Sequence, residues 1–266
     1  MSETAESEVP YRVQSVDRAI DILQSFTFER PIRSLGEVAK ETGLTKPTAS
    51  RLLTTLRLRG LVRRDPATGQ YSLGSGVPAL GAVWARQSGY LERALPIMRG
   101  VRDALNETVS LAVREGDYRV QLYQLESLQS LRRTTHSGDR SPLYAGAANK
   151  LLLSAMSDTE IDRYLKRTPL TLFTPHTITD TAELRREIER IRRQGYAVSH
   201  GEKYADGASA AAPVRDAVGQ ITATLYVSVP ATRFSDDLRD RCIKVLVRSA
   251  EELSAELGYR PFADPS

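Results

Sequence analysis

The chain of 266 residues holds one cysteine, one tryptophan and three histidines. Cys242 alone cannot close an internal disulfide, and three histidines with one cysteine give no spaced zinc-ligand set, so no structural metal is expected. No apolar run approaches the roughly 18 residues of a membrane span. The first ten residues carry three glutamates and no apolar stretch, which excludes a secretory signal there and predicts a disordered tail over residues 1–10. A soluble, cytoplasmic protein with no membrane partner is the expectation. There is no glycine-rich phosphate loop, nucleophile elbow or metal-binding helix motif. Ser199, His200 and Glu202 are close in sequence, but neighbours on a strand point to opposite faces and make no triad by proximity. No enzymatic role and no cofactor are expected.

Acidic residues are also missing where they would be most telling. From Tyr11 to Ser75 there are 11 basic and 6 acidic residues, against 26 and 24 from Gly76 to Ser266. Between Thr42 and Arg64 there is no acid at all, while Lys46, Arg51, Arg57, Arg59, Arg63 and Arg64 lie there. A solvated helix face ordinarily mixes both signs, so this run points to a polyanionic partner.

The elements of this front segment agree with that. Ala19, Ile20, Leu23 and Phe26 predict a first helix over Val16–Phe26 with Ser15 as its cap. Ser34 and Glu37 have capping-box spacing before a short second helix reaching Thr42. Gly43 turns the chain, Thr45 caps a third helix with Pro47 in its first turn, and Ala49, Leu52, Leu53 and Leu56 form its apolar stripe. The opposite face shows Lys46, Thr48, Ser50, Arg51, Thr54 and Thr55, groups suited to phosphates and base edges in a major groove. Residues 61–73, LVRRDPATGQYSL, then read as a hairpin turning at Asp65, Pro66, Thr68 and Gly69. A three-helix core with merely solubilising arginines is the plainer alternative; the order of elements favours DNA recognition.

Past Ser75, Val77–Ala85 reads as a helix starting near Pro78, with Leu80, Val83 and Trp84 on one side; Trp84 could serve an interface or its own domain. TVSLAV (108–113), YRVQLYQL (118–125) and SLRRTT (130–135) read as a β-meander. Helices follow at about Ala147–Met156, Asp158–Leu165 and Thr181–Gln194, then strands at YAVSH, ASAAAPV and ITATLYVSV, and a closing helix over Ser235–Leu257. Strands on both sides of a helical insert make an α+β sheet. In the last strand Ile221, Ala223, Leu225, Val227 and Val229 share an apolar face; Thr222, Thr224, Tyr226 and Ser228 share a hydroxylated one. Those hydroxyls could face water or line a small-molecule pocket.

The stretches VQSVDRAIDILQSF, SLGEVAKETGLTKPTASRLLTTLRLRGLVRRDPATGQYSLG, GDRSPLYAGAANKLLLSAM and AAPVRDAVGQITATLYVSVPATRF resemble those of the IclR-type bacterial regulators, and run from Val13 to Phe234. The resemblance implies a winged helix-turn-helix over 11–75, a dimerising linker helix over 76–90 and a GAF-like effector-binding domain over 91–260. It implies a repressor, an activator or both, here expected to be a repressor, that binds double-stranded operator DNA as a homodimer or tetramer and answers to a small molecule, an organic acid or aromatic metabolite. The DNA contacts expected are Arg18, Ser34, Lys46, Pro47, Thr48, Ser50, Arg51, Thr54, Arg63 and Arg64. The effector site expected by resemblance comprises Gly146, Ala147, Ala148, Asp206, Ala211, Tyr226 and Ser228, with the helix start near Ala147 suited to a carboxylate. The chain departs from the family pattern at Asn149, often glycine, at Ala210 and Ala211, where a cysteine is common, and at Tyr226, often small. A DNA-binding dimer that senses nothing is the competing expectation.

Overall fold

A computed structural model describes residues 13–27, 29–88, 90–134 and 137–260. The tail expected over 1–10 lies outside the described residues. Contacts divide the chain into two units, one ending at Ser88 and the other beginning at Gly89.

The first unit runs α1 (Gln14–Gln24), β1 (Ile32–Arg33), α2 (Leu35–Glu41), α3 (Lys46–Leu58), β2 (Val62–Arg64), β3 (Tyr71–Leu73) and α4 (Gly76–Ser88). Ile22, Phe26, Val38, Leu53, Leu56, Val62 and Tyr71 make its core, so the apolar stripe of α3 packs inward as its spacing requires. Ser34 closes the capping box with Glu37, whose carboxylate accepts the Ser34 N–H at 2.7 Å. Ser15 is no cap: α1 begins earlier, after Val13, and has no side-chain cap. The strand β1 went unforeseen because two residues show no period; it pairs with β3 through Ile32–Ser72 and Arg33–Tyr71, giving an antiparallel sheet of order β1-β3-β2. Where β3 hands over to α4, the Gly74 N–H donates to the Leu61 carbonyl at 2.9 Å. A Cβ at Gly74 would stand 2.2 Å from the Gly60 carbonyl oxygen, so only glycine lets the two segments approach this closely.

The second unit runs α5 (Tyr90–Leu105), β4 (Thr108–Glu115), β5 (Tyr118–Leu125), β6 (Arg140–Pro142), α6 (Ala147–Ser154), α7 (Asp158–Arg167), α8 (Thr181–Gln194), β7 (Ala197–His200), β8 (Gly207–Arg215), β9 (Ile221–Pro230) and α9 (Asp236–Glu256). Its strands form one antiparallel sheet of order β6-β5-β4-β9-β8-β7. On one face Met98, Val101 and Leu105 of α5 and Leu246 and Leu253 of α9 pack on Leu111, Leu225, Val227 and Val229. On the other, α6 sets Ala147, Ala148 and Leu151 against Ala112, Ala211 and Tyr226, while its Leu152 and Leu153 meet Ile161 and Tyr164 of α7 and Leu184 and Ile188 of α8. Every residue of α6 is buried.

Three expectations fail here. Residues 130–134 form no strand; ion pairs of Arg132 with Glu126 and Arg133 with Asp206 hold them as a loop, and β6 is the third strand of that edge. The helix α5 was not foreseen, although Ala94, Met98, Val101 and Leu105 recur at helical spacing and are buried; Pro96 inside it breaks the usual composition. On β9 the pairing shifts between Val214–Ala223 and Arg215–Ile221, so Thr222 is a bulge residue and the simple alternation ends there. Ile221 therefore packs against the apolar cluster on the α6 side of the sheet, and the Thr222 hydroxyl meets the Tyr90 hydroxyl at 2.9 Å.

Candidate DNA interface and effector pocket

Thr45 caps α3 by accepting the Thr48 N–H at 3.4 Å, and Pro47 takes the first turn, where its missing N–H costs nothing. Lys46, Pro47, Arg51 and Thr54 are exposed along the outer face; Thr48 and Ser50 are half-buried beside them. Thr48 and Thr54 are partly committed, to Thr45 Oγ1 at 2.9 Å and to the Ser50 carbonyl at 2.8 Å. Arg63 and Arg64 are exposed on β2, steadied by Ser72 Oγ at 2.7 Å and the Gly69 carbonyl at 3.2 Å. Lys46, Arg51, Arg63 and Arg64 form no ion pair among the described residues. Ser34 spends its hydroxyl on Glu37 at 2.7 Å, and Arg18 is half-buried on α1.

In the second unit, the start of α6 opens on a cavity of about 80 Å³ between the helix and the sheet. Gly146, in the left-handed region at φ +101°, turns the chain into the helix and puts no side chain in that space. The N–H of Gly146 donates to Glu202 Oε2 at 3.0 Å and that of Ala147 to Ser209 Oγ at 3.3 Å; the N–H groups of Ala148 and Asn149 have no acceptor among the described residues. Both line the cavity. An unused pair of amides at a helix start is a ready anion site.

Buried charge surrounds this point. Lys150, 1% exposed, sends its ammonium to Glu187 at 2.9 Å and Glu202 at 2.5 Å, so the Glu202 carboxylate is fully engaged by that ammonium and the Gly146 amide. Arg119, 3% exposed on β5, has different company. Its guanidinium donates to Ser141 Oγ at 3.1 Å, Gln121 Oε1 at 2.9 Å and the Tyr226 hydroxyl at 2.7 Å, every one neutral. Tyr226 in turn donates to Gln121, closing a network on the cavity floor. Lys203, on the 201–206 loop, forms no ion pair among the described residues; burial, then repulsion from Arg119, pushes its ammonium down to about 8.

Of the effector residues expected, Gly146, Ala147, Ala148, Tyr226 and Ser228 come together around the cavity. Asp206 and Ala211 do not line it. The Asp206 carboxylate faces outward and binds Arg133 at 2.8 Å, while Ala211 pairs with Tyr226 on β9 and lies beneath α6. Ser199 is buried at the cavity, but His200 is exposed and packs toward the Phe234 ring at 6.2 Å, so the two do not converge. Sequence reasoning missed Arg119, Arg133, Glu202 and Lys203 as lining residues. Arg119 and Gln121 alternate with Val120 and Leu122, a charged residue at an inward strand position that could have been found. The 201–206 loop carried no such signal. The Trp84 side chain, weighed for an interface, lies outside the described residues.

Comparison with known proteins accords with both units. Residues 15–66 match the IclR helix-turn-helix domain, and residues 85–255 match the bacterial transcriptional regulator IclR C-terminal domain. The HTH-type transcriptional regulator BhcR of Paracoccus denitrificans is 32% identical over 248 residues, 93% of this chain and 88% of that one. The HTH-type transcriptional repressor AllR of Escherichia coli K12 is 30% identical over 247 residues, 93% of this chain and 91% of that one. The crystal structure of an IclR transcriptional regulator from Alicyclobacillus acidocaldarius superposes with a TM-score of 0.85 at 28% identity, over 92% of this chain and 99% of that one. Two domain matches in this order, over a basic recognition helix and an α+β unit, place the chain in the IclR family of DNA-binding transcription regulators.

Proposed function

We propose that this regulator is a repressor whose grip on double-stranded operator DNA is set by a small organic acid held at the start of α6. The observation that carries the sensing half is Arg119, a buried cation with only neutral partners in a cavity that also presents two unused amides. A buried charge is costly unless an opposite charge meets it, and a ligand carboxylate would supply that charge. Repression follows the relative AllR, which is named a repressor. An IclR homologue from Microbacterium hydrocarbonoxydans was crystallised with 4-hydroxybenzoate; at 23% identity it carries the fold alone, and that acid enters here only as a probe. The DNA half would use Lys46, Pro47, Thr48, Ser50, Arg51 and Thr54 of α3 in the major groove and Arg63 and Arg64 of the wing on phosphates, with Ser34 and Arg18 flanking. Val13, Val16 and Ile20, on one face of α1, and Leu80 and Val83 of α4 are each about half exposed or more, apolar surface that suits a homodimer or a pair of dimers. In this reading the protein works in the cytoplasm, without catalysis or cofactor.

The test uses the full chain and an operator selected from a randomised duplex library, with fluorescence anisotropy for DNA and calorimetry for organic acids. Arg51→Ala is expected to weaken operator binding by about 1 to 3 kcal/mol and leave acid binding unchanged. Unaltered affinity would remove Arg51 from the recognition set. If no acid binds and none alters operator affinity, the second unit only dimerises.

A further inference from the structure

We infer that the effector is a small hydroxylated dianion, with one anionic group on the Ala148 and Asn149 amides and the other held between Arg119 and Lys203. This rests on the effector reading above and names the ligand class of that same cavity.

The charges lining the cavity are Arg119, Arg133, Glu202 and Lys203. Two of them are already neutralised within the protein. Arg133 holds both oxygens of Asp206, at 2.8 and 2.9 Å, and Glu202 is taken by Lys150 and the Gly146 amide. Arg119 and Lys203 remain, and neither forms an ion pair among the described residues. They come from β5 and from the 201–206 loop, yet Arg119 is near enough to Lys203 for its repulsion to lower the ammonium, with Arg133 adding to it and only Asp139 opposing. Two like charges held close in a sparsely solvated cavity form an incomplete site, which one anionic group between them would complete.

A lone carboxylate at the α6 amides would sit beside Glu202, which already occupies the Gly146 N–H, and one held at Arg119 and Lys203 would leave those amides unmet. A second anionic group on the same ligand answers both. The remaining wall says what joins the two groups. Its apolar surface comes from the methyls of Ala145, Ala147, Ala148 and Ala208 and from the rings of Tyr204 and Tyr226. Hydroxyls of Ser199, Ser209, Ser228, Thr134 and Tyr226 make up much of the rest. The hydroxyls suit a short hydroxylated chain between the two anionic groups. We commit to a hydroxylated dicarboxylate.

Calorimetry on the full chain would compare L-malate and tartrate with the monoanions D-glycerate and 4-hydroxybenzoate, and with 3-phosphoglycerate, whose second anionic group is a more highly charged phosphate. Malate or tartrate is expected to bind at least about 10-fold tighter than either monoanion, in keeping with a second charge-assisted contact. Lys203→Met is expected to weaken the dicarboxylate by about 10- to 100-fold and to erase most of its advantage over D-glycerate. Arg119→Lys keeps the charge but loses the planar fork, and should reduce dicarboxylate affinity while Tyr226 and Gln121 stay packed. At pH 8, heats in Tris and HEPES should reveal proton uptake on tartrate binding that Lys203→Met abolishes. Preference for 3-phosphoglycerate would overturn the dicarboxylate assignment. Monoanions binding as tightly as dianions, or a dianion preference that survives both variants, would overturn the dianion while leaving an acid effector in place. Silence from every probe, with operator binding intact, would remove the effector reading itself.

Discussion

Lys150→Met tests whether the buried charge behind α6 is what positions that helix. Methionine keeps the apolar stem and deletes only the ammonium. The side chains of Lys150, Glu187 and Glu202 are 1%, 8% and 8% exposed, so water cannot replace the lost partner. The loss falls unevenly. Glu187 keeps Arg190 at 2.5 Å, whereas Glu202 keeps only the Gly146 N–H at 3.0 Å. Stranding one buried carboxylate costs about 3 to 5 kcal/mol, and the surviving amide donor puts the expectation near about 3. For a unit of this size that is a fall in Tm of about 6 to 12 °C. Differential scanning calorimetry of the full chain, which can resolve the two units, is the assay. The double variant Lys150→Met/Glu202→Gln should recover at least half of the loss, because it removes the stranded charge. A single-variant shift below about 2 °C, or a double variant no better than the single, would refute the electrostatic account.

Gly74→Ala is expected to destabilise the first unit by about 1 to 3 kcal/mol, since its Cβ would stand 2.2 Å from the Gly60 carbonyl oxygen and neither backbone can yield cheaply; urea unfolding within about 0.5 kcal/mol of wild type would refute it. Tartrate affinity should fall as pH rises through about 8, where Lys203 loses its proton; a flat profile from pH 7 to 9.5 counts against a role for that ammonium. In the empty protein the same group acts with the opposite sign. Its folded value of about 8 lies below the ordinary 10.5, so the unfolded chain binds more protons between the two and Lys203 adds stability as pH rises through that window. Cys242 is fully buried and burial pushes its thiol up to about 12, so Ellman's reagent at pH 8 should label it only after unfolding; rapid native labelling would show that α9 opens.

The sequence disclosed the first unit more fully than the second because the signals there are local. Ser34 with Glu37 and Thr45 with Pro47 mark helix starts within four residues, and the stripe from Ala49 to Leu56 marks the buried face of a single helix. In the second unit the ends of α8 at Thr181 and Gln194 were equally legible, for Asp180 caps one end and Gly195 turns left-handed at the other. The cavity was legible only in part. Tyr226 and Ser228 showed themselves by alternation along β9, but Arg119 reaches Tyr226 across 107 residues of sequence and Lys150 reaches Glu202 across 52. No periodicity encodes such pairings. The bulge at Thr222 was hidden for a related reason, since it appears only in the register of β9 against β8.

The competition for the start of α6 connects these observations. That helix offers its first amides to whatever anion reaches them, and the protein has already placed one there, Glu202 on the Gly146 N–H. Lys150, one turn further along the same helix, holds that carboxylate from the other side. The protein thus neutralises one carboxylate at the helix start with one buried ammonium, and nothing is left over for a second at Ala148 and Asn149. Under the proposed function an effector carboxylate arriving there meets Glu202 as a like charge, so the helix start alone is a poor source of affinity. Its binding must be driven by Arg119 and Lys203, which form no ion pair among the described residues. If that is so, substitutions at Lys203 should change which acids bind, whereas substitutions at Lys150 should weaken all acids together by loosening the helix start.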